Sequence, residues 1–427
     1  MGYPVSLSVI FDFSTGPVFG YSFTIGDPSH GILGVDVLAS TKSDVVDISA
    51  DVLRISTKGS YNLIQDQFQV NTCTVRVLDP NGDWNPQNTS SPYYGKLLPL
   101  RKLRVSGTYL GVGYFIFSGY TESYNYTYPK DQEIGYVDIN CSDAFRLFNL
   151  ANISTVTGAV AGEDSGTRIG RILDQIQWPA AMRSITTGGT ETTMQADPGT
   201  NRTALQALKV VEFSEQGAFY CNGEGTAVFK SRKEIQSASG QNPTIFSNNG
   251  TAIPYNNIVF AYDDKLIINQ SNMQNVGGTM QSASNTTSIA TYFPHSMTQQ
   301  NLLTQTDSAA LDIARLYTAT RANTTIRIDA MTLDLTDPAM VSAGIIAALS
   351  LDYFNTVQIT NYGQVDNVGG TSTITKTLQV MGSTHEITPN TWKTTFVTSE
   401  PLSASFIIGS SLYGVIGDPN YLSVMTY

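Results

Sequence analysis

The sequence predicts a mainly β fold with α+β inserts, in which several short strands form a barrel or a sandwich. Apolar and polar residues alternate in the first 148 residues and again in roughly the last hundred. Helical spacing of apolar residues occurs mainly in the stretch between them. The 22 tyrosines and 18 phenylalanines also favour strands. At 427 residues the chain has room for two to four domains of about 100–200 residues each.

The first part of the chain is predicted to be almost wholly β. Alternation or short apolar runs predict strands at 5–11, 52–56, 72–77, 101–105, 114–119 and 136–141. Ser142 is expected to cap a short helix that buries Phe145 and Phe148.

The next part is predicted to be a small α+β domain. A helix should begin at Ser165 and end before Pro179. Its apolar stripe has i, i+3, i+4, i+7 spacing and comprises Ile169, Ile172, Leu173 and Ile176. After a loop at 186–200, Asn201 is expected to cap a second helix. The inward side of that helix should carry Leu205, Leu208 and Val211. The sequence Asn-Gly-Glu-Gly at 222–225 predicts a hairpin turn.

The remaining elements and the domain division are predicted from similar signals. Strands are expected at 258–262, 266–268, 326–330, 357–360, 374–380 and 392–396, a loop at 270–290, and a helix at 307–321. The chain then divides into four domains, at 1–149, 150–235, 236–325 and 326–427.

A long loop joins the strand that ends near Val77 to a basic strand that contains Arg101, Lys102 and Arg104. The loop opens with Asp-Pro-Asn-Gly at 79–82, which suits a type I turn capped by the carboxylate of Asp79. It then carries three aromatic residues, Trp84, Tyr93 and Tyr94.

This stretch resembles the minor tail proteins, or tail (baseplate) hub proteins, of tailed bacteriophages. The matching residues are Leu78, Asp79, Asn81, Asn85, Pro86, Asn88, Ser91, Pro92, Tyr93, Tyr94, Arg101 and Arg104. A second cluster some 300 residues later resembles the closing motif of the same proteins. It comprises a His-x-Ile strand at 385–387, a strand from Trp392 to Phe396, and apolar segments at 406–409 and 412–417.

The resemblance implies a tail-tube-like β-barrel at each end of the chain, with small helix-and-hairpin domains between them. It implies a structural component of the virion tail tip, made in the bacterial host cytoplasm. Such a protein joins the tail tube or distal tail protein to a fibre or spike and forms part of the DNA exit channel. Two tube-like barrels per chain imply a homotrimer that matches a six-fold tube.

The net charge of −11 argues against binding to a phosphate backbone as the main role. A channel lined by this chain should be acidic or neutral, so that DNA passes without being held. Arg101, Lys102 and Arg104 are therefore expected to face a neighbouring subunit or solvent and not the channel. The chain has no run of apolar residues long enough for a membrane span, and no signal peptide is read at its start.

The sequence lacks a recognisable catalytic or metal-binding constellation. His385 is expected to be a structural histidine in a strand, with Glu386 on the opposite face. Asp79, Asn81 and Asp83 have the spacing of a calcium loop, but Trp84 stands where that loop needs glycine. Cys73 and Cys141 are expected to be buried free thiols. No enzyme activity, metal or cofactor is predicted.

Two other functions stay open. The first is a receptor- or glycan-binding tail module, which exposed aromatic rings at Trp84, Tyr93 and Tyr94 would serve. The second is a β-rich hydrolase, which lacks a recognisable site. In the hub interpretation, the loop 79–95 locks the first barrel or contacts an adjacent subunit, and Trp84, Tyr93, Tyr94, Arg101 and Arg104 are its candidate interaction residues.

Overall fold

The strands of the N-terminal third follow the predicted alternation. The computed structural model describes residues 2–19, 44–59, 61–63, 65–128, 135–188, 192–238, 242–363 and 373–400. The first elements are β1 (Ser6–Asp12), β2 (Val45–Asp47), β3 (Val52–Lys58), β4 (Tyr61–Asn62), β5 (Gln67–Phe68), β6 (Thr72–Leu78), β7 (Lys102–Tyr109), β8 (Val112–Thr127), β9 (Tyr136–Ser142) and α1 (Phe145–Leu150).

The middle of the chain contains most of the helices. Its elements are β10 (Asn152–Ile153), α2 (Ser165–Gln175), β11 (Arg183–Ile185), β12 (Arg202–Thr203), α3 (Ala204–Glu215), β13 (Ala218–Cys221), β14 (Ala227–Lys230), α4 (Arg232–Ala238), β15 (Thr244–Ser247), β16 (Asn257–Ala261), β17 (Gln270–Asn275), β18 (Gln281–Ser284), α5 (Thr286–Tyr292), β19 (Ser296–Leu302) and α6 (Asp307–Thr320). The predicted helices at 165 and 307 and the hairpin around 222–225 are confirmed.

The C-terminal part returns to β structure. It contains β20 (Arg327–Asp334), α7 (Ser342–Ser350), β21 (Thr356–Tyr362), β22 (Thr373–Ile387) and β23 (Trp392–Ser399). The mainly β fold with α+β inserts is therefore confirmed. The apolar segments predicted at 406–409 and 412–417 lie outside the described residues.

One large sheet joins the two ends of the chain. Its 13 strands include the path β16-β20-β23-β22-β3-β6-β9-β8-β7-β1-β2, with β21 paired to β22 and β15 to β21. All pairs are antiparallel except β15 with β21. The N-terminal and C-terminal strands meet where β3 pairs with β22, with Thr57 opposite His385. Among the described strands the path stays open at both ends, so it forms no closed barrel.

The buried side chains form three clusters. The largest lies on the inner face of the large sheet, where Cys73, Val75 and Val77 are almost fully buried. A second packs α1, α2 and α3 against the β13–β14 hairpin. A third packs α6 against the small sheet of β17, β18 and β19. Cys73, Cys141 and Cys221 are buried free thiols, as predicted for the first two.

Two predicted helix caps are wrong by one or two residues. Ser142 ends β9 and donates to Glu122 at 2.7 Å, while Asp143 accepts the backbone N–H of Phe145 at 3.0 Å. The second helix is capped by Thr203 and not by Asn201. Thr203 is the cap because Gln206, three residues later, completes a reciprocal capping box with it.

The predictions for 266–290 are also wrong. Residues 266–268 form no strand, and the expected loop at 270–290 contains β17, β18 and the start of α5. Met273 and Ala283 are the only apolar residues of β17 and β18, so apolar alternation does not reveal these strands. Hydrogen bonds between side chains support them instead. Asn272 donates to Thr298 at 3.3 Å and accepts from Ser282 at 2.7 Å.

Candidate interaction site

The loop that begins at Asp79 is built around that carboxylate. Asp79 accepts the backbone N–H of Asp83 at 2.7 Å and the hydroxyl of Tyr128, also at 2.7 Å. Gly82 has φ +68°, which its place in the turn requires. Asp79 therefore caps this turn, as predicted. In the described part of the chain, no group of three or more His, Cys, Asp or Glu side chains is placed to hold a metal ion.

Trp84 is a core residue of this chain. Only 3% of its surface is exposed, and its ring lies 5.3 Å from that of Phe11 and 5.0 Å from that of Tyr93. Tyr93 is half-buried against Phe13, whereas Tyr94 is 52% exposed. Trp84 thus anchors the loop to the sheet, and it is not the exposed ring that the receptor-binding alternative needs.

The basic strand is buried where exposure was expected. Lys102 is 1% exposed, and its ammonium lies 3.1 Å from the carboxylate of Asp12. It also donates to the Ser14 hydroxyl at 2.7 Å and to the Val18 carbonyl at 2.6 Å. Only Arg101 of the three basic residues keeps partial exposure.

Arg104 is also buried, at 7% exposed. Its Nε donates to the Ser118 hydroxyl at 3.1 Å, and its guanidinium lies 4.8 Å from the ring of Phe19 and 4.7 Å from that of Phe115. The prediction that this strand faces solvent or a neighbour is therefore wrong for Lys102 and Arg104. The reason is that β7 lies between β1 and β8, and residues 12–19 cover its second face.

The β13–β14 hairpin turn docks on the same strands. Ser118 donates to the Gly223 carbonyl at 2.8 Å, and Arg104 donates to the Glu224 carbonyl at 3.4 Å. A Cβ on Gly223 would lie 2.2 Å from the Phe115 carbonyl oxygen, so only glycine fits there. The basic strand thus connects the helix-and-hairpin part of the chain to the large sheet.

The predicted closing motif forms part of the core. His385 is 4% exposed, and its Nδ1 lies 3.3 Å from the Trp392 indole nitrogen and 3.1 Å from the Thr394 hydroxyl. Burial lowers the pKa of His385 to about 4, so it is neutral near pH 7. Glu386 faces the other way and pairs with Arg54 at 2.9 Å. Both expectations for this pair of residues are confirmed.

The other face of the large sheet carries a row of polar residues across seven strands. In register order they are Asp334, Lys393, Glu386, Ser56, Thr74, Asn140 and Ser123. Three cations on this face have carboxylate partners. Arg54 pairs with Glu386 at 2.9 Å, Arg76 with Asp138 at 2.8 Å, and Lys393 with Asp334 at 3.6 Å. Alternation indicates the exposed side of each strand, but it cannot indicate which distant strands become neighbours.

A cleft of about 280 Å³ lies where the large sheet meets the β13–β14 hairpin. Asp143, Asp352 and His385 are among its lining residues. Asp143 accepts the backbone N–H groups of Asn71 and Phe145, and His385 is bonded as described above. Asp143 therefore fixes the backbone beside the cleft, and His385 fixes the side chains of Trp392 and Thr394. No helix in the described ranges is long and apolar enough to span a membrane.

The fold is shared with a known tail protein. A tail protein from Neisseria meningitidis matches over 93% of this chain and 97% of its own, with a TM-score of 0.54 and 11% sequence identity. A prophage tail protein from Shewanella oneidensis matches over 84% of this chain and 95% of its own, with a TM-score of 0.49 and 10% identity. No family model matches the sequence, and no curated protein matches it. The resemblance predicted from the two motif clusters is thus confirmed at the level of the fold.

Proposed function

We propose that the chain is a structural protein of a bacteriophage tail tip, a minor tail protein or baseplate hub. It joins the tail tube or distal tail protein to a fibre, spike or receptor-binding part. The observation that carries this proposal is the fold shared with the Neisseria tail protein over almost the whole length of both chains. The two motif clusters, around Asp79–Arg104 and His385–Phe396, support it independently.

The proposed assembly is a homotrimeric ring around the DNA exit channel. The count of three comes from the family resemblance. Each chain supplies two tube-like units, which are the first and last of the four predicted domains, so three chains match a six-fold tube. The net charge of −11 and the paired cations on the outer face of the large sheet support a wall that lets DNA slide. Exposed Tyr94 is the proposed contact residue of the loop 79–95.

A cryo-EM reconstruction of the virion tests this proposal. We expect three copies of this chain in a ring at the distal end of the tail, with DNA on the ring axis. A chain found as a lone monomer away from the tail axis would contradict the hub role. A ring of six copies would contradict the count of three and leave the tail role standing.

We also propose that the chain has no hydrolytic activity of its own. The purified chain should release no soluble products from peptidoglycan or host polysaccharide, and saturable cleavage by it would overturn this. The receptor- or glycan-binding alternative is weakened by the burial of Trp84, although Tyr94 stays exposed. Normal assembly of Tyr94→Ala particles with lost adsorption would favour that alternative.

A further inference from the structure

Two neighbouring elements of the surface contain no charged residue. Segments 105–121 and 338–351 both lack Asp, Glu, Lys, Arg and His. The first forms most of the β7–β8 hairpin, and the second contains α7. They lie side by side, because the Tyr109 hydroxyl donates to the Ser342 hydroxyl at 3.1 Å. Together the two segments form a surface without charged side chains of their own.

Both elements expose apolar side chains. At the hairpin tip, Leu110 is 76% exposed and Val112 is 52% exposed. Val341, at the N-cap of α7, is 46% exposed, and Ile346 within the helix is 37% exposed, although the opposite side of α7 is buried in the core. The exposed side of α7 consists of Ile346, Ala343 and two serines, so it is uncharged and only partly polar. We call Leu110, Val112, Val341 and Ile346 the uncharged patch.

The backbone at the tip of the hairpin is strained at Leu110. Tyr109 pairs with Val112, and the two residues between them both have positive φ, +51° at Leu110 and +81° at Gly111. This is the backbone of a type I′ turn, which favours Asn-Gly or Asp-Gly. Leucine is disfavoured in the left-handed region because its Cβ crowds the backbone. A strained position that exposes an apolar side chain points to a function of that side chain.

We propose that the uncharged patch is the contact between copies of this chain in the tail ring, an inference that rests on the proposed function. Two copies that each carry a charge of −11 repel one another. They approach closely only where the contact brings no like charges together, and the uncharged patch satisfies this condition. A basic partner would instead be matched by acidic side chains at the contact. Apolar surfaces are also typical of permanent interfaces between identical subunits.

The experiment measures the oligomeric state of the full-length chain by light scattering over a wide range of concentrations. Leu110→Asn removes the exposed side chain and creates the preferred Asn-Gly turn, so its thermal midpoint should equal or exceed that of the wild type. Ile346→Glu places a negative charge in the patch, where it is repelled by the negatively charged neighbouring copy. Each variant should weaken self-association by about tenfold or more. The control is Leu150→Asn, which changes a leucine on α1 that is 53% exposed, and it should assemble like the wild type.

The possible outcomes separate this inference from the proposed function. Loss of assembly in Leu110→Asn with an unchanged thermal midpoint supports the inference, because the variant is then folded. If the wild type and both patch variants assemble equally, the inference is overturned and the ring forms through another surface. If the wild type is monomeric at every concentration, the inference is overturned as well, and the reconstruction of the virion still decides the tail role.

Discussion

At the scale of single residues, the basic strand shows how far a charge pattern can mislead. Lys102 lies in an inner strand with three acceptors around its ammonium, the nearest charge being Asp12. A buried cation is tolerated only when it is paired and hydrogen-bonded. The sequence could not indicate this, because the acceptors come from residues 12–18, far from Lys102 in the chain.

We predict that Lys102→Ala lowers the free energy of unfolding by about 3–5 kcal/mol, because it leaves the Asp12 carboxylate buried without its cation. The control is Arg54→Ala, which breaks an ion pair whose two side chains are 59% and 41% exposed. That change should cost about 0–1 kcal/mol. Urea unfolding of the three proteins measures the difference. If both variants lose the same free energy of unfolding, Asp12 does not depend on Lys102 for its stability in the core.

Asp143 gives the fold a dependence on pH. It is 2% exposed, and burial raises its pKa to about 7 despite the N–H groups of Asn71 and Phe145 that it accepts. An aspartate in an unfolded chain has a pKa of about 3.9. Between about pH 4 and pH 7, Asp143 is therefore protonated in the folded chain and ionised in the unfolded chain. The stability that Asp143 contributes is therefore complete below the lower value and is lost as the pH rises through about 7.

The corresponding prediction compares the wild type with Asp143→Asn. Between pH 4 and pH 7 the free energy of unfolding of the wild type should fall relative to that of the variant. His385 acts in the opposite direction, because its lowered pKa of about 4 makes stability rise with pH below its ordinary value. His385 is the same in both proteins, so the difference between their urea-unfolding curves isolates Asp143. Parallel pH profiles would rule out the raised pKa.

At the scale of elements, local signals predict helices and hairpins better than polar strands. The helix from Ser165 and the hairpin at 222–225 carry their own spacing and turn residues, and both form as predicted. Strands β17 and β18 carry little apolar alternation, because hydrogen bonds between polar side chains support them instead. The pairing of β3 with β22 could not be predicted either, since some 330 residues separate the two strands. The packing of Trp84 is likewise decided by β1 and β8.

For the loop that follows β6, we predict that Trp84→Ala lowers the free energy of unfolding by about 3–5 kcal/mol, as expected for a buried aromatic ring. Tyr94→Ala, ten residues further on and 52% exposed, should change it by less than about 0.5 kcal/mol. Chemical denaturation of the two purified variants tests the pair. Any assembly defect of Trp84→Ala then follows from lost stability. A stable Trp84→Ala protein that fails to assemble would instead place Trp84 at a subunit contact.

At the scale of the whole molecule, the large sheet unites both ends of the chain and sets its charge pattern. The polar row from Asp334 to Ser123 exists only because β3 and β22 pair. Cations that are already paired release fewer counterions from DNA than free cations do, so they hold a duplex less strongly. A surface of this kind suits a conduit, because DNA can pass it without being retained.

This argument predicts that the wild-type chain binds duplex DNA weakly at physiological salt. The triple variant Asp138→Asn/Glu386→Gln/Asp334→Asn frees Arg54, Arg76 and Lys393 on one face. Its binding should become measurable by fluorescence anisotropy, with log K falling against log salt by about 0.9 for each phosphate contacted. A matched control neutralises three exposed carboxylates that form no ion pair in the described part of the chain, Asp47, Asp51 and Glu224, and it has the same net charge. The control should bind as weakly as the wild type. Equal binding by the two triple variants would mean that net charge, and not the pairing on this face, keeps DNA from being held.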